Sequence, residues 1–284
     1  MKKIRPSLAG SFYPSTKQDC LDEIEEMNKR VKIIDDKNLK YIAGIVPHAG
    51  WFYSGSIANS VFQNLKNKNA GVELIVLYGG HFPANYKTRI VNADICETPL
   101  GEIKINNEVV KILKNQIKEL SEEESFGSDN TIEVQLPFIK YYFPDVELVI
   151  IRVAANQIAY SIGKIASSLT QKYKTIFIGS TDLTHYGMRF GFTPAGIGEK
   201  AVRWVKEQND KRIVDLAVNV EYEKIIEEAE KNYNACCPGS LAALVATAHF
   251  FNIKKGALVE YKTSYDVLPE GAASDFVGYM GVIF

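Results

Sequence analysis

The hydrophobic pattern alternates between short continuous apolar runs and longer segments with an apolar residue at every third or fourth position. The short runs are typical of buried strands, and the wider spacing is typical of amphipathic helices. The predicted strands are residues 41–46, 73–78, 88–97, 147–153, 175–179, 257–264 and 276–284. One predicted helix follows the capping box Ser15–Gln18. Three more are indicated by apolar stripes at 57–65, 109–120 and 158–169, and further helices occupy much of 129–138, 194–232 and 241–251.

This alternation of strands and helices predicts an α/β fold with a mainly parallel central sheet flanked by helices. Residues 121–128 are charged and contain Ser and Gly, so we expect a surface loop there. Thr193 and Pro194 are typical of a helix start, since proline is favoured at the first helical position. The chain has no repeat, low-complexity segment or linker, and we expect one domain from residue 1 to residue 284.

The composition is that of a globular protein with a substantial core, with 46% hydrophobic residues among 284. The net charge of -1 gives no support for direct nucleic-acid binding. The N-terminus lacks the apolar segment of a signal peptide, and no apolar run is long enough to cross a membrane. The four cysteines form no disulfide framework or CxxC motif, so we expect reduced thiols in the cytoplasm.

Three of the four histidines follow predicted strands. His48, His81 and His185 each come at the end of such a strand, in a loop that contains glycine. Ligands bind at the carboxyl ends of strands in open α/β sheets, and neutral imidazole is a common metal ligand. The three histidines therefore predict a shared site for a transition metal. His249 lies inside a predicted helix without flanking glycines, and we interpret it as structural.

Three further residues have both a chemical and a structural interpretation. Asp182 could orient His185, bind metal or act as a general base, or it could simply cap the following turn. Cys236 could supply a thiolate to iron, copper or zinc, or it could be a small buried apolar residue. Glu133 could support the site as a carboxylate behind the metal ligands, or it could be a polar residue at the start of a helix.

Other chemistries fit the sequence poorly. Neither GxxxxGK[ST] nor GxGxxG occurs, so no nucleotide cofactor is expected, and the GxSxG elbow of α/β-hydrolases is absent. A nucleophilic triad of Cys236, His185 and Asp182 is conceivable. That triad would leave His48 and His81 without a role.

Several stretches, in family order over nearly the whole chain, resemble the Memo family. They are residues 9–14 (AGSFYP), 47–50 (PHAG) with 53–55 (YSG), 80–81 (GH), 132–138 (IEVQLPF), 180–187 (STDLTHYG) and 235–236 (AC). Prokaryotic members are also called AmmeMemoRadiSam system protein B. The resemblance implies a fold like that of the LigB-like class III extradiol dioxygenases, which are non-haem iron enzymes.

The resemblance also implies site residues. It implies that His48, His81 and Cys236 bind iron or copper. It further places Asp182 and His185 in the neighbouring pocket, with Phe12 and Tyr53 on its aromatic wall. Relatives often have Cys-Gly where this chain has Cys236-Cys237, so either cysteine could face the site. Many relatives have histidine at the position of Asn130.

Two functions are compatible with these residues. The first is a metal-dependent redox enzyme in which His185 is the acid or base and Asp182 orients it. The second is a non-catalytic module that binds a peptide, a phosphorylated ligand or a protein partner in the same pocket. The family resemblance also implies an AMMECR1-like protein and a radical SAM protein as partners.

Overall fold

The computed structural model describes residues 1–284 and contains twelve strands. They are β1 (Lys3–Ile4), β2 (Ala43–Val46), β3 (Leu74–Phe82), β4 (Arg89–Val91), β5 (Ile95–Thr98), β6 (Gly101–Ile105), β7 (Ser121–Glu123), β8 (Glu147–Ala154), β9 (Thr175–Ser180), β10 (His185–Tyr186), β11 (Ala257–Thr263) and β12 (Phe276–Ile283). The sheet has the order β1-β5-β6-β8-β3-β9-β2-β12-β10, with β11 on β12 and with β4 joining β7 to β8.

Eleven α-helices connect the strands. They are α1 (Lys17–Asn28), α2 (Trp51–Lys68), α3 (Asn107–Gln116), α4 (Asn130–Glu133), α5 (Leu136–Tyr142), α6 (Ile158–Ser167), α7 (Glu199–Trp204), α8 (Asp210–Val218), α9 (Tyr222–Asn232), α10 (Pro238–Phe250) and α11 (Ser264–Val267). Short 3-10 turns occupy Ser168–Gln171 and Met188–Phe190, and a π-helical turn at Val205–Asn209 joins α7 to α8. No helix has both the length and the apolar character needed to cross a membrane.

The centre of the sheet is parallel, and this confirms the predicted α/β fold. Strands β6, β8, β3, β9 and β2 run parallel in that order, and β12 is antiparallel to β2. Their apolar residues lie at the centre of one buried cluster of 73 residues, most of which come from the helices and loops packed around the sheet. Strands buried on both faces need largely apolar sequence, which explains why β2, β3, β8 and β9 were predicted, whereas the half-exposed β6, with the sequence GEIKI, was not. Helix α10 is buried on nearly all sides for the same reason.

Three local predictions were wrong. Residues 88–97 form two strands, because β4 pairs with β7 and β8 whereas β5 pairs with β1 and β6. The predicted loop at 121–128 contains β7, whose polar residues pair with β4 through the backbone and through the Arg89–Glu123 ion pair and leave no hydrophobic signal. The helix expected at Thr193 begins only at Glu199, since Gly196 and Gly198 adopt φ angles of 77° and 83° that a helix does not allow.

Candidate metal centre

Three adjacent parallel strands bring the site together at one edge of the sheet. Strand β9 lies between β3 and β2, and the carboxyl ends of all three meet. His48 follows β2 by two residues, and Asp182 follows β9 by two residues. His81 lies inside the last part of β3 rather than in a loop after it.

A β-bulge turns His81 towards His48. The register between β3 and β8 shifts between Gly79 and Phe82, and Gly80 has a φ of 96° that favours glycine. The Gly80 N–H donates to the Thr131 hydroxyl at 2.8 Å instead of to the sheet. As a result the two imidazole rings lie edge to face, with centroids 5.0 Å apart.

Cys236 reaches the site through the turn before α10. Its N–H donates to the Asp182 carbonyl at 3.1 Å, and the N–H of Cys237 donates to the Thr181 hydroxyl at 3.2 Å. The Cys236 sulfur lies 3.2 Å from Nε2 of His48 and accepts the Asp182 N–H at 3.3 Å. The turn is therefore tied to the loop that follows β9.

The donor atoms fit a transition metal. One ligand atom from each of His48, His81, Cys236 and Cys237 lies within 4.8 Å of the other three. Ligands held about 2.0–2.3 Å from one ion are separated from each other by roughly 3–4 Å. Two imidazoles and thiolate sulfur are also a donor set that iron, copper and zinc accept. The three residues that the resemblance implied as ligands thus lie together, and Cys237 joins them.

Two residues that the sequence analysis missed lie on the Nδ1 side of the two histidine rings. Ser180 Oγ lies 3.0 Å from Nδ1 of His48, which leaves Nε2 directed at the Cys236 sulfur. Asp129 Oδ1 lies 4.0 Å from Nδ1 of His81, while its other oxygen accepts from Arg152. Hydrogen-bonded outer partners orient a metal-binding imidazole, as Ser180 does for His48, whereas Asp129 is near His81 without a hydrogen bond to it. Ser180 was identifiable in the sequence only by its position at the end of a strand.

The charges at the site favour a protonated imidazole next to a thiolate. Burial opposes protonation of His48, but Asp182 and Cys236 outweigh it and raise the pKa of His48 to about 9. Burial also opposes ionisation of Cys236, yet the hydrogen bond from Cys237 and the charge of His48 lower its thiol pKa well below the usual range. Burial raises the pKa of Asp182 despite the opposing charge of His48.

Asp182 contacts His48 instead of His185. Its Oδ1 accepts the backbone N–H of His48 at 2.8 Å, and its Oδ2 lies 3.8 Å from Nε2 of His48. Nδ1 of His185 lies 3.2 Å from the Leu183 carbonyl oxygen. The expected orientation of His185 by Asp182 is therefore not what the structure has, because the strand β10 directs the His185 ring away.

His185 lies in a separate apolar cavity that reaches the metal donors. This cavity has a volume of about 370 Å³. Its wall includes His185, Cys236, Phe190, Phe192 and Tyr233. The rings of His185 and Phe190 meet edge to face at 5.1 Å. The third histidine thus borders the thiol of Cys236 without joining the group of metal donors.

The aromatic residues expected at the wall lie on two different surfaces. Tyr53 lines a second cavity, of about 300 Å³, together with Arg189, Phe190 and Tyr279. The Phe12 side chain is half-buried against the main core, and its carbonyl accepts the Trp51 N–H at 2.8 Å. Phe12 therefore fixes the N-terminal loop to the start of α2.

Glu133 faces the N-terminal loop. Its buried carboxylate accepts the N–H groups of Ser7 and Leu8 at 2.8 and 2.6 Å and the Tyr13 hydroxyl at 2.9 Å, all on Oε1. Its other oxygen accepts the Ser7 hydroxyl. Asn130, at the position where many relatives have histidine, donates to the His48 carbonyl at 3.1 Å. Both residues hold backbone in place beside the site.

A buried carboxylate, Asp210, lies behind β10. It accepts from the backbone and hydroxyl of Thr184 and, at 2.7 Å, from the Tyr261 hydroxyl. Burial raises its pKa from 3.8 to about 6, against these hydrogen bonds and the charge of His185. Tyr261 and His185 are the titratable groups that act on it. The Asp210 carboxyl group therefore binds its proton more tightly in the folded chain than in the unfolded chain.

We expect Asp210 to make the chain less stable as the pH rises from about 4 to 6. The ionised carboxylate should cost about 2 kcal/mol at pH 7 relative to pH 4. In Asp210→Asn that cost disappears, so the difference in free energy of unfolding between wild type and variant should change by this amount. Urea titrations of metal-free protein at pH 4, 5, 6 and 7 measure it. Asp215→Asn, an exposed position on α8, is the control, and a pH-independent difference for Asp210→Asn would contradict the prediction.

Comparison with known proteins identifies the family. A family model described as "Memo-like protein" matches residues 5–283. The chain belongs to the Memo family. Relatives named "MEMO1 family protein" include one from Thermoplasma volcanium, which is 30% identical over 98% of this chain and 97% of its own length. The relative from Nitrosopumilus maritimus is 29% identical over 99% of this chain and 98% of its own length. The relative from Pyrobaculum arsenaticum is 25% identical over 100% of this chain and 99% of its own length.

The Memo fold of this chain is also similar to a solved structure. An uncharacterized protein from Escherichia coli K12 superimposes with a TM-score of 0.53, covering 84% of this chain and 98% of the other. The two sequences are 11% identical. This likeness shows a shared fold and carries no statement about activity.

Proposed function

We propose that this Memo-family chain is a metal-dependent redox enzyme that holds iron or copper through His48, His81 and Cys236. The observation that carries the proposal is the position of Cys236. Its sulfur lies 3.2 Å from Nε2 of His48, and Cys236 also lines the apolar cavity. A metal held there would lie beside a space large enough for a small organic molecule.

The residues around these ligands prepare them for a redox ion. Iron or copper would supply the one-electron chemistry and the reaction with dioxygen. Ser180 fixes the orientation of the His48 ring, and the buried Asp182 holds the His48 backbone. The side chain of His81 is 45% exposed, so the site is accessible from its side.

His185 is the acid or base in this proposal. A carbonyl oxygen only accepts hydrogen bonds, so the neutral ring carries its proton on Nδ1, next to Leu183. Nε2 is then free to take a proton from a molecule in the cavity. Phe190 stacks edge to face on the ring and limits its rotation. The position and the tautomer of His185 thus support its proposed role as a general base.

The cavity wall favours an apolar or aromatic substrate. Seven of its eight lining residues are hydrophobic, and Phe190, Phe192 and Tyr233 present ring faces or edges. Aromatic rings pack on each other in offset or edge-to-face geometry. Catechols are therefore the first compounds to test.

A second candidate function is that of a binding module. Large apolar side chains are exposed around the cavities: Phe52 is 65% exposed, Met188 77% and Tyr233 66%. Exposed apolar groups near a pocket are typical of surfaces that bind another molecule. A peptide or phosphorylated ligand could use this rim without turnover, and the AMMECR1-like and radical SAM proteins remain proposed partners.

The test combines metal content with oxygen consumption. We expect protein purified without added metal to contain about one iron or copper per chain and to consume oxygen with a catechol. His185→Gln should keep its metal and lose at least roughly 100-fold in rate, as removal of a general base does. His249→Gln, on the exposed face of α10, is the control.

Two results would count against the enzyme. Absence of metal, with none taken up when Fe(II) or Cu(I) is offered anaerobically, would remove the metal site from the proposal. If the protein contains one metal ion per chain but consumes no oxygen with any catechol tested, the binding module is favoured.

A further inference from the structure

Cys237 has no assigned role, although its sulfur lies in the donor group. Its side chain is fully buried, and its sulfur contacts the Cys236 sulfur at 3.6 Å. The ligand atoms of His48 and His81 lie within 4.8 Å of it. A buried thiol that packs as a small apolar residue would be surrounded by hydrocarbon instead.

The distances match a four-coordinate ion. In a tetrahedral site with metal–sulfur bonds of about 2.3 Å and metal–nitrogen bonds of about 2.05 Å, two sulfurs are about 3.8 Å apart and sulfur and nitrogen about 3.5 Å. The observed separations are 3.6 Å between Cys236 and Cys237 and 3.2 Å between Cys236 and His48. Only small movements of these side chains would be needed to bind a metal ion.

The backbone fixes the position of Cys237 next to the other metal donors. Its N–H donates to the Thr181 hydroxyl, so the residue cannot rotate freely. It is also the N-cap of α10, which has thirteen residues and begins with Pro238. Two adjacent cysteines thus present both sulfurs to the same point.

We infer that Cys237 is a fourth protein ligand, so that this chain holds its metal by two imidazoles and two thiolates. The inference rests on the proposed metal site and extends it. A closed four-ligand site lacks the open position of a catalytic one, so a substrate in the cavity beside Cys236 must then add as a fifth ligand or displace one of the four. Each cysteine that is still a thiol releases its proton when the metal binds it as a thiolate.

Cobalt(II) substitution tests the inference, because thiolate-to-cobalt charge transfer in the near ultraviolet scales with the number of bound sulfurs. The probe is Co²⁺ alone, added anaerobically to metal-free full-length protein. We expect Cys237→Ala and Cys236→Ala each to lose about half of the absorbance, and the double variant to lose all of it. Metal affinity of Cys237→Ala should fall by at least about 100-fold, as for any direct ligand, because loss of an outer partner costs 10–100-fold.

Cys96→Ala is the matched control, because Cys96 is equally buried but lies on β5. Its spectrum should equal that of wild type, and thermal melts of all metal-free variants should show that they fold. Full absorbance in Cys237→Ala would overturn the fourth ligand and leave the three-ligand site intact. Failure of wild type to bind cobalt, copper or iron would overturn both proposals.

Discussion

Metal binding is expected to disappear in His81→Ala while the fold remains. The His81 side chain is 45% exposed, so truncation removes a ligand without opening a cavity in the core. Loss of a direct ligand should weaken metal binding by at least about 100-fold, more than the 10–100-fold cost of losing an outer partner. His48→Ala should have the same effect on metal, with an added loss of stability because that ring is buried.

Elemental analysis after dialysis, together with thermal melts, measures this prediction. A ligand that binds only the folded chain stabilises it, by about 4 kcal/mol at a thousand times its dissociation constant. Wild type should therefore melt at a higher temperature with metal than without, and His81→Ala should melt at the same temperature in both conditions. His249→Ala, another exposed histidine, should behave like wild type. Metal retained in both His48→Ala and His81→Ala would eliminate the site.

Glu133→Ala is expected to lower the free energy of unfolding by about 3 kcal/mol without removing metal. The substitution leaves the Leu8 N–H and the buried Tyr13 hydroxyl without their acceptor. An unsatisfied buried donor costs about 1–3 kcal/mol. Because Glu133 joins α4 to the N-terminal loop, the loss should appear in urea denaturation of metal-free protein.

Glu133→Gln is the matched comparison. The amide oxygen can still accept from Leu8 and Tyr13, and the Ser7 hydroxyl can accept from the new N–H. We expect it to recover more than half of the stability lost in the alanine variant. An alanine variant as stable as wild type but free of metal would instead place Glu133 in the functional site, as the sequence first led us to expect.

The sequence was sufficient for the fold because burial leaves a direct trace in it. The runs that became β3 and β9 are apolar over residues 74–78 and 176–178, and β8 is apolar apart from Glu147 and Arg152, since both faces of these strands are covered. Where backbone pairing or glycine conformation decided the outcome, the pattern failed. Strand β7 has no apolar residue, and the helix expected at Thr193 is replaced by turns at Gly196 and Gly198.

For the site, the sequence determined which residue types were available and which strand ends carried them. It indicated His48, His81 and Cys236, partly through the family resemblance. Only the tertiary structure brought His48 and Cys236 together, because the two are 188 residues apart and meet through neighbouring strands and the turn before α10. The bulge at Gly80 directs His81 towards them.

The tertiary structure also decided the roles of residues that the sequence left ambiguous. Asp182 lies against His48 and not His185, because β10 turns the latter away after Leu183. Glu133 was a plausible site carboxylate by position, yet its oxygens are occupied by the N-terminal loop. Hydrogen-bond partners distant in sequence leave no periodic trace along the chain, so apolar periodicity predicts the sheet but not the direction of a polar side chain at its edge.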